Sequence, residues 1–275
     1  MPMFTDIPPA LVEAVETFRR EERAPVVPRD ASSVILLRDG ASRPEVYLLR
    51  RTTSMAFAAG FCVFPGGGVD PRDFDTEIGW AGPTADSWAD TLGCDLPTAR
   101  ALVCAAVRET FEESGVLLAG PSATTVVADT TSNAWEADRR ALESRELSLS
   151  DLLARRGLLL RSDLLRFWAH WVTPLWEPKR FDTRFFVAVL PDGQATRDVS
   201  TESDQVSWIE VAEARDQVDR GELAMLPPTY VNTSDLAPFA DLAEVVAEAD
   251  GRLPEVVRPD LVIAADGTAH LSIGR

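Results

Sequence analysis

The sequence lacks the features of a membrane-bound or secreted protein. Its 275 residues include no apolar run close to the roughly 20 residues that a membrane-spanning helix requires. The first residues contain no basic segment leading into an apolar stretch, as a signal peptide would. The last residues match no retention, peroxisomal or lipidation signal. We therefore expect a cytoplasmic protein with no membrane partner.

Cysteine and lysine are scarce. The three cysteines are an odd number without the spacing of metal ligands, so Cys62 and Cys104 are interpreted as small core residues. The only lysine is Lys179, so the basic side chains are nearly all arginine. Arginine suits bidentate contacts with phosphate, although the base composition of the source genome explains the bias equally well.

Positive charge is outweighed by negative charge, since 27 Lys and Arg stand against 44 Asp and Glu and the formal net charge is −17 at pH 7. A chain this acidic is repelled by nucleic acid and by anionic membranes, so we expect neither as a partner. An anionic small molecule would still bind if metal ions and a local group of arginines offset the overall field.

The remaining composition is that of a globular protein with a sizeable core, at 45% hydrophobic and 26% charged residues. Strands are predicted at 32–37, 45–51, 61–64, 168–172, 184–190 and 205–209. Helices are predicted at 9–23, 98–114, 211–220 and 236–249, with a closing hairpin at 256–264 and 268–273. Strands interleaved with helices favour an α/β or α+β sandwich.

Two segments interrupt this alternation. Residues 70–97 are rich in Asp, Gly, Pro and Trp and are predicted to form a long loop, or a loop with a short helix. Residues 134–167 are predicted to be helical, in two or three pieces. Because no Pro-, Gly- or Ser-rich linker divides the chain, we expect one domain over residues 1–275 that carries both segments.

Three glutamates fall on one face of the helix predicted at 98–114. Glu109, Glu112 and Glu113 are spaced i, i+3 and i+4, so their side chains project together. Carboxylates this close repel one another unless a cation lies among them, and hard oxygen ligands suit Mg²⁺ or Mn²⁺. Arg108 lies one turn before Glu112, where it can hold a carboxylate in place. A solvated acidic surface is the alternative explanation of the same pattern.

A glycine-rich turn favours the metal hypothesis. After the strand predicted at 61–64 come Pro65 and then Gly66, Gly67 and Gly68. Glycines there let the backbone approach a metal ion or a phosphate closely. Gly115 ends the helix just after the three glutamates.

Gly67 and residues 108–116 together resemble the Nudix box, G-x5-E-x7-R-E-U-x-E-E-x-G-U, in which U is an aliphatic residue. The sequence departs from that pattern in three ways. Extra residues separate the glycines from the helix, the first box Glu is missing, and Thr110 occupies the first aliphatic position. The place of the missing Glu, which usually supports the helix, falls on Asp73 or on Arg100, depending on the direction of counting.

An interrupted box of this kind resembles the animal peroxisomal coenzyme A diphosphatases of the Nudix superfamily. Further segments similar to that subfamily occur in the same order, among them Leu226-Pro227-Pro228, and the likeness covers residues 32–271. The resemblance implies a Nudix-type α/β/α sandwich with a mixed sheet. Residues 70–97 would be an insertion in the box, and residues 134–167 a helical elaboration.

The resemblance also implies a metal site. Glu109, Glu112 and Glu113 would bind Mg²⁺ or Mn²⁺, with the carbonyl of Gly66 as a further ligand. An additional acidic residue is expected before a later strand, where Glu202 has the matching position.

The expected chemistry is attack of water on one phosphorus of a diphosphate. Either Glu109 or Glu202 would remove the proton from the water, and Arg108 would orient Glu109. Asp204 is the rival of Glu202, and an ordinary exposed acid in a turn is the simpler explanation of both.

The subfamily implies coenzyme A or acyl-CoA as substrate, cut to phosphopantetheine and 3′,5′-ADP. Arg50 and Arg51, at the end of a predicted strand, would meet the 3′-phosphate, and Gly67 would lie against the substrate. Ordinary surface arginines on an edge strand are the alternative for this pair. A Nudix pyrophosphatase acting on NADH or ADP-ribose and a non-catalytic nucleotide-binding module are the competing functions. The helices in 134–167 either cover the site or form the contact of a homodimer.

Overall fold

The computed structural model describes residues 7–52, 60–199, 203–264 and 266–274, except for the side chains of Ser203 and Asp204. The first half contains α1 (Pro9–Arg20), β1 (Arg29–Asp39), β2 (Pro44–Arg51), β3 (Cys62–Val63), β4 (Gly66–Gly68), β5 (Trp80–Ala81), α2 (Ala85–Leu92), α3 (Leu96–Ser114) and β6 (Ala119–Gly120). The second half contains α4 (Asn133–Glu143), α5 (Leu149–Arg156), β7 (Leu159–Arg161), β8 (Arg166–Val172), β9 (Phe181–Val189), β10 (Ser203–Glu210), α6 (Val211–Asp219), α7 (Pro227–Leu236), α8 (Leu242–Asp250), β11 (Val256–Val257), β12 (Pro259–Ile263) and β13 (Ala269–Ile273). Short 3₁₀ helices lie at Pro71–Phe74 and Ser162–Leu164.

A mixed sheet lies at the centre of the fold. Its strand order is β10-β2-β1-β9-β8-β11, with β3 paired to β2 and β4 paired to β1. β1 runs parallel to β9 but antiparallel to β2 and β4. The mixed sheet expected from the resemblance is confirmed.

Helices cover both faces of this sheet. Alternate residues of a strand point to opposite faces, and in β1 they enter two separate apolar clusters. Val34 and Leu36 pack in a cluster with residues of α2, α3, α4 and α5. Ile35 and Leu37 pack in a second cluster with residues of α6, α7 and α8. The predicted α/β/α sandwich is therefore confirmed.

The segment predicted as a helical elaboration, 134–167, is helical only in α4 and α5. Its remainder forms β7 and a 3₁₀ turn, and β8 begins at Arg166. β7 pairs with β5 of the insertion and with β6, which makes a second, three-stranded sheet. The prediction was wrong there because a short apolar run such as Leu158-Leu159-Leu160 suits a strand as well as a buried helix.

Two further elements differ from the prediction. The helix predicted at 236–249 begins at Leu242, and α7 precedes it without having been predicted. α7 begins with Pro227-Pro228. Proline is tolerated in the first helical turn because the N–H that it lacks has no intrahelical partner there. The described part of the chain contains no helix long and apolar enough to cross a membrane.

Candidate active site

The three glutamates lie near the end of α3, here called the acidic helix. The Asp95 side chain caps its start by accepting a hydrogen bond of 2.8 Å from the Thr98 N–H. The helix ends at Gly115, whose φ of 75° is the left-handed conformation that glycine adopts without strain. Leu102 and Phe111 are fully buried. The three glutamates are only partly buried, and the surface that they form is here called the acidic side.

The glycine-rich turn lies directly against this acidic side. In β4, Gly66 pairs with Ser33 of the neighbouring strand, and the Gly66 N–H donates a 2.8 Å hydrogen bond to Oε2 of Glu113. A Cβ atom at Gly67 would lie 2.4 Å from Oε1 of Glu109, which is closer than real contacts allow. Only glycine therefore fits at position 67 with Glu109 in its present place.

Arg108 connects the acidic helix to the glycine turn from a buried position. Its Nη1 donates to Oε1 of Glu109 at 2.8 Å and to Oε1 of Glu112 at 3.3 Å. Its Nη2 donates to the carbonyl oxygen of Gly68 at 3.0 Å. The predicted pairing of Arg108 with Glu109 is present, and it is one part of a larger network.

Asp73, one of the two places that the sequence allowed for the missing box Glu, completes this network. Its carboxylate accepts two hydrogen bonds from Arg108, of 3.0 Å from Nε and 2.9 Å from Nη2. The Asp73 side chain is 1% exposed, so this is a buried, bidentate ion pair. The missing box Glu therefore has a counterpart in Asp73, and not in Arg100. Counting forward from the glycine turn was the signal that pointed to it.

Glu202 lies outside the described residues, and so does the side chain of its rival Asp204. The loop that leads to Glu202 does pass close to the acidic side. The Tyr47 hydroxyl donates to the carbonyl oxygen of Arg197 at 3.1 Å. Burial raises the pKa of Tyr47, and the negative charges of Asp198 and Glu113 raise it further. Glu113 and the loop residue Asp198 thus both lie near this one phenol.

Arg50 and Arg51 lie at the end of β2, a strand between β1 and β10 and not at an edge of the sheet. Arg50 is exposed and is paired in register with Cys62, while Arg51 is paired with Ser203. Arg51 is therefore next to Ser203, the residue that follows Glu202 in the sequence.

A family model described as the NUDT19 Nudix domain matches residues 81–236, more than half of the chain. The chain belongs to this family. It is a Nudix hydrolase. The matched part contains the acidic helix but begins after the glycine turn and Asp73.

Individual proteins agree with that assignment. The putative nudix hydrolase 7 of Caenorhabditis elegans is 28% identical over 218 residues, which cover 78% of this chain and 62% of that protein. The acyl-coenzyme A diphosphatase NUDT19 of Homo sapiens is 28% identical over 300 residues, covering 90% of this chain and 79% of that protein. A crystal structure of a Nudix hydrolase from Alicyclobacillus acidocaldarius has a TM-score of 0.68 and 29% identity, and covers 81% of this chain and 96% of that one. The chain thus spans about three fifths to four fifths of these curated relatives.

α3, the acidic helix, is thus the Nudix helix of this family. The charge balance on its acidic side is unfavourable without a cation. Burial raises the pKa of Glu112 to about 7, and the negative charge of Glu109 contributes in the same direction. Arg108 lowers this pKa, but not enough to offset both effects. Glu112 is thus a carboxylate with too little positive charge around it.

The donor atoms suit a divalent metal ion, which Nudix hydrolases generally use. In the described part of the chain, no three His, Cys, Asp or Glu side chains are already arranged as a ligand set. Arg108 holds Glu109 and Glu112, and Glu113 accepts the N–H of Gly66. The fit therefore rests on the chemistry of the site: hard oxygen donors on one helix face, a backbone turn against them, and two carboxylates that share one arginine.

Proposed function

We propose that this Nudix hydrolase cuts the diphosphate of coenzyme A or acyl-CoA in the presence of Mg²⁺ or Mn²⁺. Water would add to one phosphorus and the P–O–P link would break, giving phosphopantetheine (or its acyl form) and 3′,5′-ADP. The observation that carries the hydrolytic part is the set of Glu109, Glu112 and Glu113 against the glycine turn. The substrate part is supported by the name of the human relative and by the likeness noted in the sequence.

Each residue of the site has a role in this proposal. Glu109, Glu112 and Glu113 would hold the metal ions, with the Gly66 carbonyl as a further ligand. The chemistry supplied by bound Mg²⁺ or Mn²⁺ is neutralisation of the charge on the diphosphate oxygens. Arg108 fixes the carboxylate of Glu109 through the 2.8 Å hydrogen bond, which limits the directions in which that carboxylate can accept a proton.

The proton of the attacking water would pass to Glu109 or to Glu202. Arg50 and Arg51 would bind the 3′-phosphate of the adenosine moiety, because guanidinium groups suit phosphate. They would also supply local positive charge in a chain whose net charge is −17. Gly67 would lie against the diphosphate, because a glycine has no side chain of its own to keep a ligand away from the main chain. We further propose that residues 1–275 act as one domain.

The test is a substrate panel with the full chain. CoA, a short and a long acyl-CoA, NADH and ADP-ribose are incubated separately with Mg²⁺, with Mn²⁺ and with EDTA, and the products are identified by mass spectrometry. We expect metal-dependent formation of 3′,5′-ADP from CoA or acyl-CoA. Turnover of NADH or ADP-ribose, but not of CoA or acyl-CoA, would refute the substrate proposal. Turnover of none of the compounds would favour a nucleotide-binding module.

A further inference from the structure

The end of the Nudix helix carries charge of the wrong sign for its dipole. The last carbonyl groups of a helix bear partial negative charge and have no partners within the helix. Glu112 and Glu113 lie in this last turn, and the turn contains no basic residue. Two of the proposed metal ligands therefore lie in a helical turn that is destabilised by its own acidic residues. Hydrogen-bond donors that stabilise the carbonyl groups of this turn must come from other elements.

Arg139 of α4 is the first such donor. Its Nη1 donates a 2.7 Å hydrogen bond to the main-chain carbonyl oxygen of Glu112. The Arg139 side chain is only 3% exposed, and it is held by ion pairs of 3.0 Å to Glu136 and 3.0 Å to Glu143. A buried guanidinium with carboxylate partners on both sides thus supplies positive charge to the final turn of the Nudix helix.

Arg197, in the loop between β9 and β10, is the second donor. Its main-chain N–H donates to the carbonyl oxygen of Ser114 at 2.9 Å. Its side chain forms a 2.9 Å ion pair with Glu136, the same carboxylate that holds Arg139. The loop that continues toward Glu202 is therefore attached both to the end of the Nudix helix and to α4.

Glu136 joins these two donors. The hydrogen bond from Arg139 lowers the pKa of Glu136 to about 2, with further contributions from Arg140 and Arg197. Arg140 differs from the other two because its side chain is 73% exposed, so it contributes charge without being buried against the Nudix helix.

We propose that Glu136, Arg139 and Arg197 form a positioning cluster that aligns the metal-binding turn of the Nudix helix with the loop leading to Glu202. The Arg139 side chain acts on the main-chain carbonyl group of Glu112, and the Arg197 side chain acts by holding its loop to Glu136. Neither side chain touches the reacting atoms. The cluster gives the helical elaboration a part in catalysis, and it rests on the proposed function because the helical turn that it supports carries the proposed ligands.

The test compares Arg139→Gln and Arg197→Gln in the full chain, with Arg140→Gln as a matched control that shares Glu136. Arg197→Gln keeps the main-chain bond to Ser114, so it remains informative if loss of the buried Arg139 prevents folding. Mn²⁺ affinity is measured by calorimetry without substrate, kcat and KM are measured with the substrate found in the panel, and hydrogen exchange is followed at residues 111–115.

For both cluster variants we expect Mn²⁺ affinity or kcat to fall about 10- to 100-fold, the range seen when partners of metal ligands are removed. Exchange at residues 111–115 should become faster, while KM stays within about threefold of the unmodified chain because no substrate contact is lost. Arg140→Gln should stay within about twofold in every measurement, as exposed ion pairs contribute little.

Affinity, kcat and exchange all unchanged in folded Arg197→Gln would overturn the proposal. A lower melting temperature with normal affinity and kcat would also overturn it, since that is the result of a purely structural cluster. If the unmodified chain neither binds Mn²⁺ nor turns over any substrate, the proposed function fails, whereas unchanged hydrogen exchange in the variants would count against the cluster itself.

Discussion

Replacing Asp73 by Asn tests whether the buried ion pair with Arg108 supports the Nudix helix. The substitution keeps the size of the side chain but removes the charge facing a guanidinium, and the Asp73 side chain is 1% exposed. Removing one partner of a buried pair typically costs about 3–5 kcal/mol when the other charge is left uncompensated. Arg108 keeps its ion pairs with Glu109 and Glu112, so the expected cost is the smaller one of leaving buried hydrogen-bond donors without a matching acceptor, about 1–3 kcal/mol. At roughly 2–4 °C per kcal/mol, the expected fall in melting temperature is about 2–12 °C.

Thermal and urea unfolding of the full chain measure this cost. Asp216→Asn is the matched control, because Asp216 forms a 2.6 Å ion pair with Arg215 in which the side chains are 45% and 35% exposed. We expect the control to lose less than about 1 kcal/mol. Asp73→Glu keeps the charge and adds one methylene group, so overpacking of about 1–3 kcal/mol is its expected cost. Equal stabilities of Asp73→Asn and the control would refute the role assigned to the ion pair.

Three further predictions follow from the site. Glu113→Gln keeps an acceptor for the glycine-turn N–H, so it should abolish metal-dependent turnover without a change in melting temperature; full activity would contradict its role as a ligand. Gly67→Ala places a Cβ 2.4 Å from Oε1 of Glu109, so turnover should fall at least about tenfold, whereas Gly274→Ala, which has open space, should be silent. The arginine partners lower the pKa of Glu136 to about 2, so its contribution to stability is complete above its unfolded pKa of about 4.3 and is lost as pH falls through the folded value. Between pH 2 and 6, the free energy of unfolding should depend less steeply on pH in Glu136→Gln than in the unmodified chain. Identical slopes would argue against the pairing.

Periodic patterns in the sequence predicted the parts of the fold that follow local rules. The Nudix helix, predicted at 98–114, extends over Leu96–Ser114, because its apolar face and its terminating Gly115 are both local signals. β4 was not predicted, since three consecutive glycines have low strand propensity. It is a strand because pairing with Ser32 and Ser33 determines its conformation, and only tertiary structure supplies that partner.

The residues of the candidate site also fall into those that local sequence rules predict and those that depend on tertiary structure. The shared face of Glu109, Glu112 and Glu113 followed from helical spacing alone. Arg139 could not be predicted, because 27 residues separate it from the carbonyl group it binds and nothing in the local sequence of α4 distinguishes it from Arg140. Its burial depends on how α4 packs, which is a property of the whole fold.

The insertion interrupts the Nudix box in sequence but preserves it in space, because both of its ends are fixed. At its start, Asp70 and Asp73 cap the 3₁₀ turn reciprocally, and Asp73 also reaches Arg108. At its end, Asp95 caps the Nudix helix. The entropy cost of closing a loop rises only slowly with its length, so extra residues between two fixed ends cost little. Trp88 and other insertion residues are also buried in the same apolar cluster as the Nudix helix, so the inserted segment stabilises the site that it interrupts.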